Sequence, residues 1–116
     1  MIKDQLIYVA HPFGGNKDNK YSIDAIMENL VMLDKNNTYL SPLHNFSMLY
    51  FDTQYSKGLK ICLDMLNKCD ALVLCGDWET SKGCIGEWSF AIAKGMPIYT
   101  WKEWTDKLKE QGDNRR

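Results

Sequence analysis

Asp70–Cys75 reads DALVLC. From Ala71 to Cys75 no position is polar, so neither face of this segment suits water. That is the pattern of a strand covered on both sides, as in the middle of a parallel sheet. Helical periodicity flanks it. Upstream, Leu59, Cys62, Leu63 and Leu66 form one stripe of a helix expected from about Lys57. Downstream, GDWETSKG is a loop, and a helix follows with Ile85, Trp88, Ala91 and Ile92 expected to face inward, ended by Gly95. Pro97–Trp101 then reads as a strand, and a last helix from about Lys102 carries Trp104 and Leu108.

The N-terminal half repeats the alternation. Gln5–Ala10, QLIYVA, is a short apolar strand running into HPFGG. Ile23, Ile26, Met27, Leu30 and Leu33 recur on one helical face until Asn36-Asn37. Thr38–Leu40 is a second strand, closed by Ser41-Pro42, and His44–Tyr55 shows no clean period and reads as a loop with one helical turn at most. Strand and helix thus alternate over a chain of 116 residues, enough for one domain, taken as residues 1–116. The pattern predicts a three-layer α/β fold of the Rossmann or flavodoxin-like kind, with four or five parallel strands.

Composition narrows the function. The net charge is −1, which provides no basic surplus for a nucleic acid polymer. No apolar run approaches the ~20 residues of a membrane span, so no membrane partner is expected. The start, MIKDQLIYVA, has no signal-peptide core. The four cysteines, Cys62, Cys69, Cys75 and Cys84, fit no zinc spacing and read as buried thiols of a reducing, cytoplasmic compartment. No metal and no cofactor are expected.

In parallel α/β folds, sites lie beyond the carboxyl ends of the strands. Three loops qualify: HPFGG, SPLHNF and GDWETSKG. The last leads into a helix N-terminus, whose unpaired N–H groups attract anions. Thr80, Ser81 and Lys82 add donors there, and Gly83 permits close approach. Glu87 follows one turn later. By spacing alone it is an ordinary first-turn acid that complements the helix dipole. Gly14 and Gly15 form neither GxGxxG nor a P-loop, and read as a turn or as N–H donors to a phosphate. His11 and His44 each end a strand and read as ligand contacts.

Together, IYVAHPFGGNKDNKY, SPLH, and Ser81-x-Gly83-x-x-x-Glu87 with the following FAIAKGMPIY resemble the nucleoside 2-deoxyribosyltransferase superfamily. The resemblance is nearest the 2′-deoxynucleoside 5′-phosphate N-hydrolase branch, runs from about Ile7 to Thr100, and is close only at these motifs. It implies that Glu87 is the nucleophile at C1′ of a (deoxy)nucleotide, with Tyr8 or Tyr21 positioning it. It implies that Ser81, Gly83, Gly14 and Gly15 hold a 5′-monophosphate, since a serine at 81 avoids the repulsion an acid would bring. It further implies a homo-oligomer, for which the aromatic segment Phe46–Tyr55 and the tryptophans near the C-terminus are candidate contacts. The family's aspartate that assists the departing base falls at Cys62 here, with Asp77 as a candidate substitute. Two other readings stay open: a nucleotide-binding module without turnover, and, more weakly, a phosphoribohydrolase, whose paired glycines would directly precede the glutamate motif.

Overall fold

In the computed structural model, residues 3–12, 17–46 and 55–113 are described. Gly14 and Gly15, and most of the aromatic segment, lie outside them. The elements in chain order are β1 (Leu6–Ala10), α1 (Lys17–Leu33), β2 (Thr38–Leu40), α2 (Pro42–Phe46), α3 (Tyr55–Leu66), β3 (Ala71–Leu74), α4 (Lys82–Lys94), β4 (Ile98–Thr100) and α5 (Trp101–Asp113). A 3-10 turn, Trp78–Thr80, precedes α4. The four strands are parallel in the order β2-β1-β3-β4. This is the α/β class expected from the alternation; α2 begins at Pro42, two residues before the segment read as a loop with one helical turn at most, and most of that segment lies outside the described residues.

Side chains alternate across the sheet, so each strand feeds two cores. Ile7, Val9, Ala71 and Val73 face one side, where Ile23 and Leu30 of α1, Leu43 of α2 and Trp104 of α5 pack on them. Tyr8, Ala10, Leu72 and Leu74 face the other, against Cys62 and Leu66 of α3 and Cys84 and Ala91 of α4. The full burial of β3 is the property that DALVLC announced. The amino ends of β1 and β3 are pinned by a reciprocal pair: Asp70 N–H donates to the Leu6 carbonyl at 2.8 Å, and Leu6 N–H donates to the Asp70 carboxylate at 2.8 Å.

Three apolar expectations fail. On α4 the buried residues are Cys84, Glu87 and Ala91, while Ile85, Trp88 and Ile92 are exposed. The alternative stripe at i, i+3 and i+7 won because it carries the smaller side chains, which let α4 lie close to the sheet. On α1, Leu33 is exposed in the last turn, between buried Leu30 and buried Asp34. Trp104, taken as an exposed contact residue, is 0% exposed. Its indole N–H donates to the Tyr39 hydroxyl at 3.0 Å, and that hydroxyl donates to buried Asp34 at 2.5 Å. Asp34 also accepts from Asn37 at 2.8 Å and from the Asn36 N–H at 2.9 Å, which closes the turn between α1 and β2.

The ends of α4 are set by sequence. Ser81 is the N-cap, and its hydroxyl accepts from Cys84 N–H at 3.3 Å. At the other end Gly95 has φ +74°, with Gly95 N–H donating to Ile92 at 3.1 Å and Met96 N–H donating to Ala91 at 2.9 Å. That pair of bonds is a Schellman closure, which favours glycine at the left-handed position.

Candidate active site

The site begins with two recessions from the carboxyl edge of the sheet. Tyr8 stands two residues before the end of β1, roughly 7 Å below the edge at about 3.3 Å per residue. Glu87 stands six residues past the N-cap of α4, roughly 9 Å down the helix at 1.5 Å per residue. The two depths match, and Tyr8 points to the α3/α4 side, so the phenol and the carboxyl meet. The Tyr8 hydroxyl donates a short hydrogen bond to Glu87 Oε2.

Tyr8 is fully buried and Glu87 is 5% exposed. Burial disfavours the carboxylate and lifts Glu87 to about pH 7, with the Tyr8 bond pulling the other way. Burial first, and then the Glu87 charge, drive the Tyr8 phenol far above its ordinary range. Its hydroxyl therefore stays protonated and acts as a fixed donor. The thiol of Cys62, on α3, also interacts with that hydroxyl. Cys84, one turn before Glu87, is pushed up to about 12 by burial and then by the Glu87 charge. Cys75 is likewise raised to about 12, first by burial. Protonated thiols are weak nucleophiles, so neither Cys75 nor Cys84 competes with Glu87 at neutral pH.

The remaining candidates fall into separate groups. Ser81 and Gly83 sit in the first turn of α4, half-buried, above Glu87 on the same helix. His11 ends β1. Its Nδ1 bonds to the Pro12 carbonyl at 2.7 Å and its Nε2 to Ser22 Oγ at 3.0 Å, on the α1 side. The imidazole also lies on Gly76, and a Cβ there would meet His11 Nε2 at 2.9 Å. His44 bonds Ser41 Oγ at 2.8 Å through Nδ1 and the Asp24 carboxylate through Nε2. Asp24 also accepts from Lys20 at 2.5 Å, and the hydrogen bonds from Lys20 and then His44 hold its carboxyl below the ordinary range. Both histidines are thus anchored to α1, while Glu87 belongs to the opposite layer.

Besides the histidines, two further predicted residues are not gathered around Glu87. Tyr21 is 68% exposed on α1, whose buried face packs on the other side of the sheet from Tyr8. Asp77 is exposed ahead of the 3-10 turn and its side chain makes no capping bond. Asp64, the other nearby acid, is paired with Lys60 at 2.8 Å on the outer surface of α3. Cys62, where the resemblance puts the family's aspartate, does reach the Tyr8 hydroxyl. Two residues went unforeseen. Cys84 lies three positions before Glu87, a spacing that puts both on one helical face. Gly76 has φ +61°, and the Gly-Asp pair after a strand was its signal.

Gly76→Ala combines a left-handed strain of ~1–2 kcal/mol with a collision against His11. Urea unfolding is expected to show at least that loss.

The family model described as "Domain of unknown function (DUF4406)" matches residues 5–100. Among solved structures, the chain is similar to the 2-desoxiribosyltransferase from Leishmania mexicana, with TM-score 0.60 and 25% identity over 83% of this chain and 63% of that one. It is also similar in fold to the 2-deoxyribosyltransferase from the psychrotolerant bacterium Bacillus psychrosaccharolyticus, with TM-score 0.64 and 22% identity over 82% of this chain and 70% of that one. The chain thus spans less than two thirds of the Leishmania protein's length. No curated protein matches the sequence.

Proposed function

The chain belongs to the DUF4406 family, and on the strength of its buried Glu87–Tyr8 pair we propose that it cleaves the N-glycosidic bond of a (deoxy)nucleoside 5′-monophosphate. The observation that carries the proposal is a carboxyl group at a core position, bonded by a phenol that cannot ionise at neutral pH. Structural stability does not favour such a placement, because a buried carboxylate is destabilising. A nucleophile needs it, because a poorly solvated carboxylate attacks more readily and is shielded from water. The likeness in fold to two 2-deoxyribosyltransferases supports the same reading.

In the reaction, ionised Glu87 attacks C1′. The C1′–N bond breaks, and its electron pair leaves with the base. Charge at the sugar is oxocarbenium-like in the transition state. The Tyr8 hydroxyl holds the attacking carboxylate in line and yields none of its charge. Water then hydrolyses the glycosyl ester, or a second base captures the sugar. The first turn of α4 supplies the phosphate contacts: backbone N–H groups at Gly83, the Ser81 hydroxyl, and the Lys82 ammonium. Serine at 81 supports a phosphorylated ligand over a free nucleoside.

The test is chromatographic detection of free base, with a panel of deoxy- and ribonucleoside 5′-monophosphates, with and without an acceptor base. Base release from the wild type supports the proposal. A protein that binds these nucleotides in thermal-shift measurements but releases no base fits the second reading, a binding module. Cys62 is the observation that favours that second reading. A thiol beside Tyr8 is a poor proton donor for a departing base, where a positioned acid contributes ~10²–10⁴-fold. Under the enzyme reading, Cys62→Asp is expected to raise kcat by roughly the lower end of that range, ~10²-fold, with a lower melting temperature. An unchanged kcat in a folded variant would remove Cys62 from the account of catalysis.

A further inference from the structure

Two serine–histidine pairs lie against α1, and they differ in what can reach them. Ser41 bonds His44 Nδ1 at 2.8 Å, and His44 Nε2 bonds the Asp24 carboxylate. That chain has the order of an acyl-transfer relay, but Ser41 is 2% exposed, so its hydroxyl is closed to a substrate and the chain ties α2 to α1. The other pair is His11 and Ser22, bonded at 3.0 Å, and Ser22 is exposed on α1.

The direction of the second bond follows from a third group. His11 Nδ1 lies 2.7 Å from the Pro12 carbonyl. A carbonyl only accepts, so Nδ1 carries the proton. In the neutral ring Nε2 is then a lone pair, and the Ser22 hydroxyl donates to it. A hydroxyl, a base that accepts from it, and a third group that orients the base make up an activated serine. Here a backbone carbonyl does the orienting. The ring is seated as well as bonded: it lies on Gly76, where a Cβ would come within 2.9 Å of His11 Nε2.

We propose that Ser22 is a nucleophilic serine, with His11 as its general base, and that it takes the acyl group of small carboxylic esters. Ser22 Oγ attacks the acyl carbon, and its proton passes to His11 Nε2 as the new C–O bond forms. The ester C–O bond then breaks, and the leaving oxygen takes that proton. The products are acyl-Ser22 and an alcohol. Water attacks the acyl-serine through the same base and releases the acid. The pair supplies a base, so esters with good leaving groups, which need least help at the carbonyl oxygen, are the class it takes. The site is separate from Glu87, which belongs to the opposite layer of the sheet.

Two probes test it: p-nitrophenyl acetate, for release of nitrophenol, and an alkyl fluorophosphonate, which phosphonylates activated serines with loss of fluoride. The wild type is expected to release nitrophenol and to carry the phosphonate on the peptide that contains Ser22. Ser89, an exposed serine on α4, is expected to stay unlabelled. Ser22→Ala, which suits a helix and needs no core space, is expected to lose the label and the nitrophenol release with unchanged far-UV circular dichroism. His11→Gln is expected to slow labelling of Ser22 by ~10²-fold. A folded wild type that takes no label overturns the proposal. So does a label that persists in Ser22→Ala, falls on Ser89 instead, or forms at the same rate in His11→Gln. Both probes are read without nucleotide, so failure here is distinguishable from failure of base release.

Discussion

Exchange of Glu87 for glutamine is expected to abolish base release and, above neutral pH, to stabilise the fold. The two effects share a cause. Glu87 titrates near 7 in the folded chain against an ordinary value of 4.5. A group whose folded pKa is raised favours folding fully below its unfolded pKa, and loses that contribution as pH rises through the folded one. The loss therefore accumulates between about pH 4.5 and 7 and is constant above. At 1.36 kcal/mol per unit the carboxylate destabilises the protein by about 3 kcal/mol at pH 8. Glutamine keeps an acceptor for Tyr8 and carries no charge, although its NH2 needs partners of its own. A net gain of ~1–3 kcal/mol is expected at pH 8, vanishing near pH 4.5. Urea titrations at the two pH values check it.

The same titration governs rate. Only ionised Glu87 can attack, so base release is expected to fall tenfold per pH unit below about 7 and to level off above. In Glu87→Gln the loss is expected to reach at least ~10³-fold, since the amide cannot form the glycosyl ester. A variant that lost stability at pH 8, or kept base release, would defeat this account of the site.

Trp104→Ala is expected to have the largest effect on the fold. The indole fills the core beneath Ile7, Val9 and Val73 and donates to the Tyr39 hydroxyl at 3.0 Å. Truncating a buried tryptophan typically removes ~3–5 kcal/mol. Here it also leaves Tyr39, whose phenol is raised above its ordinary range by burial and by Asp34, without its donor. A domain of this size holds ~5–15 kcal/mol in total, so the variant should be close to unfolding at room temperature. Trp104→Phe keeps most of the packing and loses the donor, and a deficit of ~1–2 kcal/mol is expected. Unfolding followed by circular dichroism separates the two. Equal losses would mean that the hydrogen bond, and not the packing, holds α5 to the sheet.

Much of the architecture was legible because it follows from local rules. The continuous apolar run Ala71–Cys75 could only be a covered strand, and β3 is buried along its length. Gly95 marked the C-terminal end of α4 through backbone chemistry that needs no distant partner, while Ser81, read as a phosphate donor, is its N-cap. Gly76 could be anticipated as a turn, though His11 lying on it could not.

The inward face of α4 was misread because periodicity reports that a stripe exists but not which of two overlapping stripes meets the sheet. The sequence offers Ile85, Trp88 and Ile92 on one side and Cys84, Glu87 and Ala91 on the other. Hydrophobicity favours the first. Space favours the second, because only small side chains permit close approach, and Tyr8 across the gap supplies a donor for the one acid among them. By itself, then, the sequence determined the order of strands and helices along the chain and the glycine that ends α4, which depend on neighbours a few residues away. The tertiary structure alone decided that Glu87 lies inside and Trp88 outside. That choice depends on the residue 79 positions away whose hydroxyl donates to Glu87, and no local pattern records it.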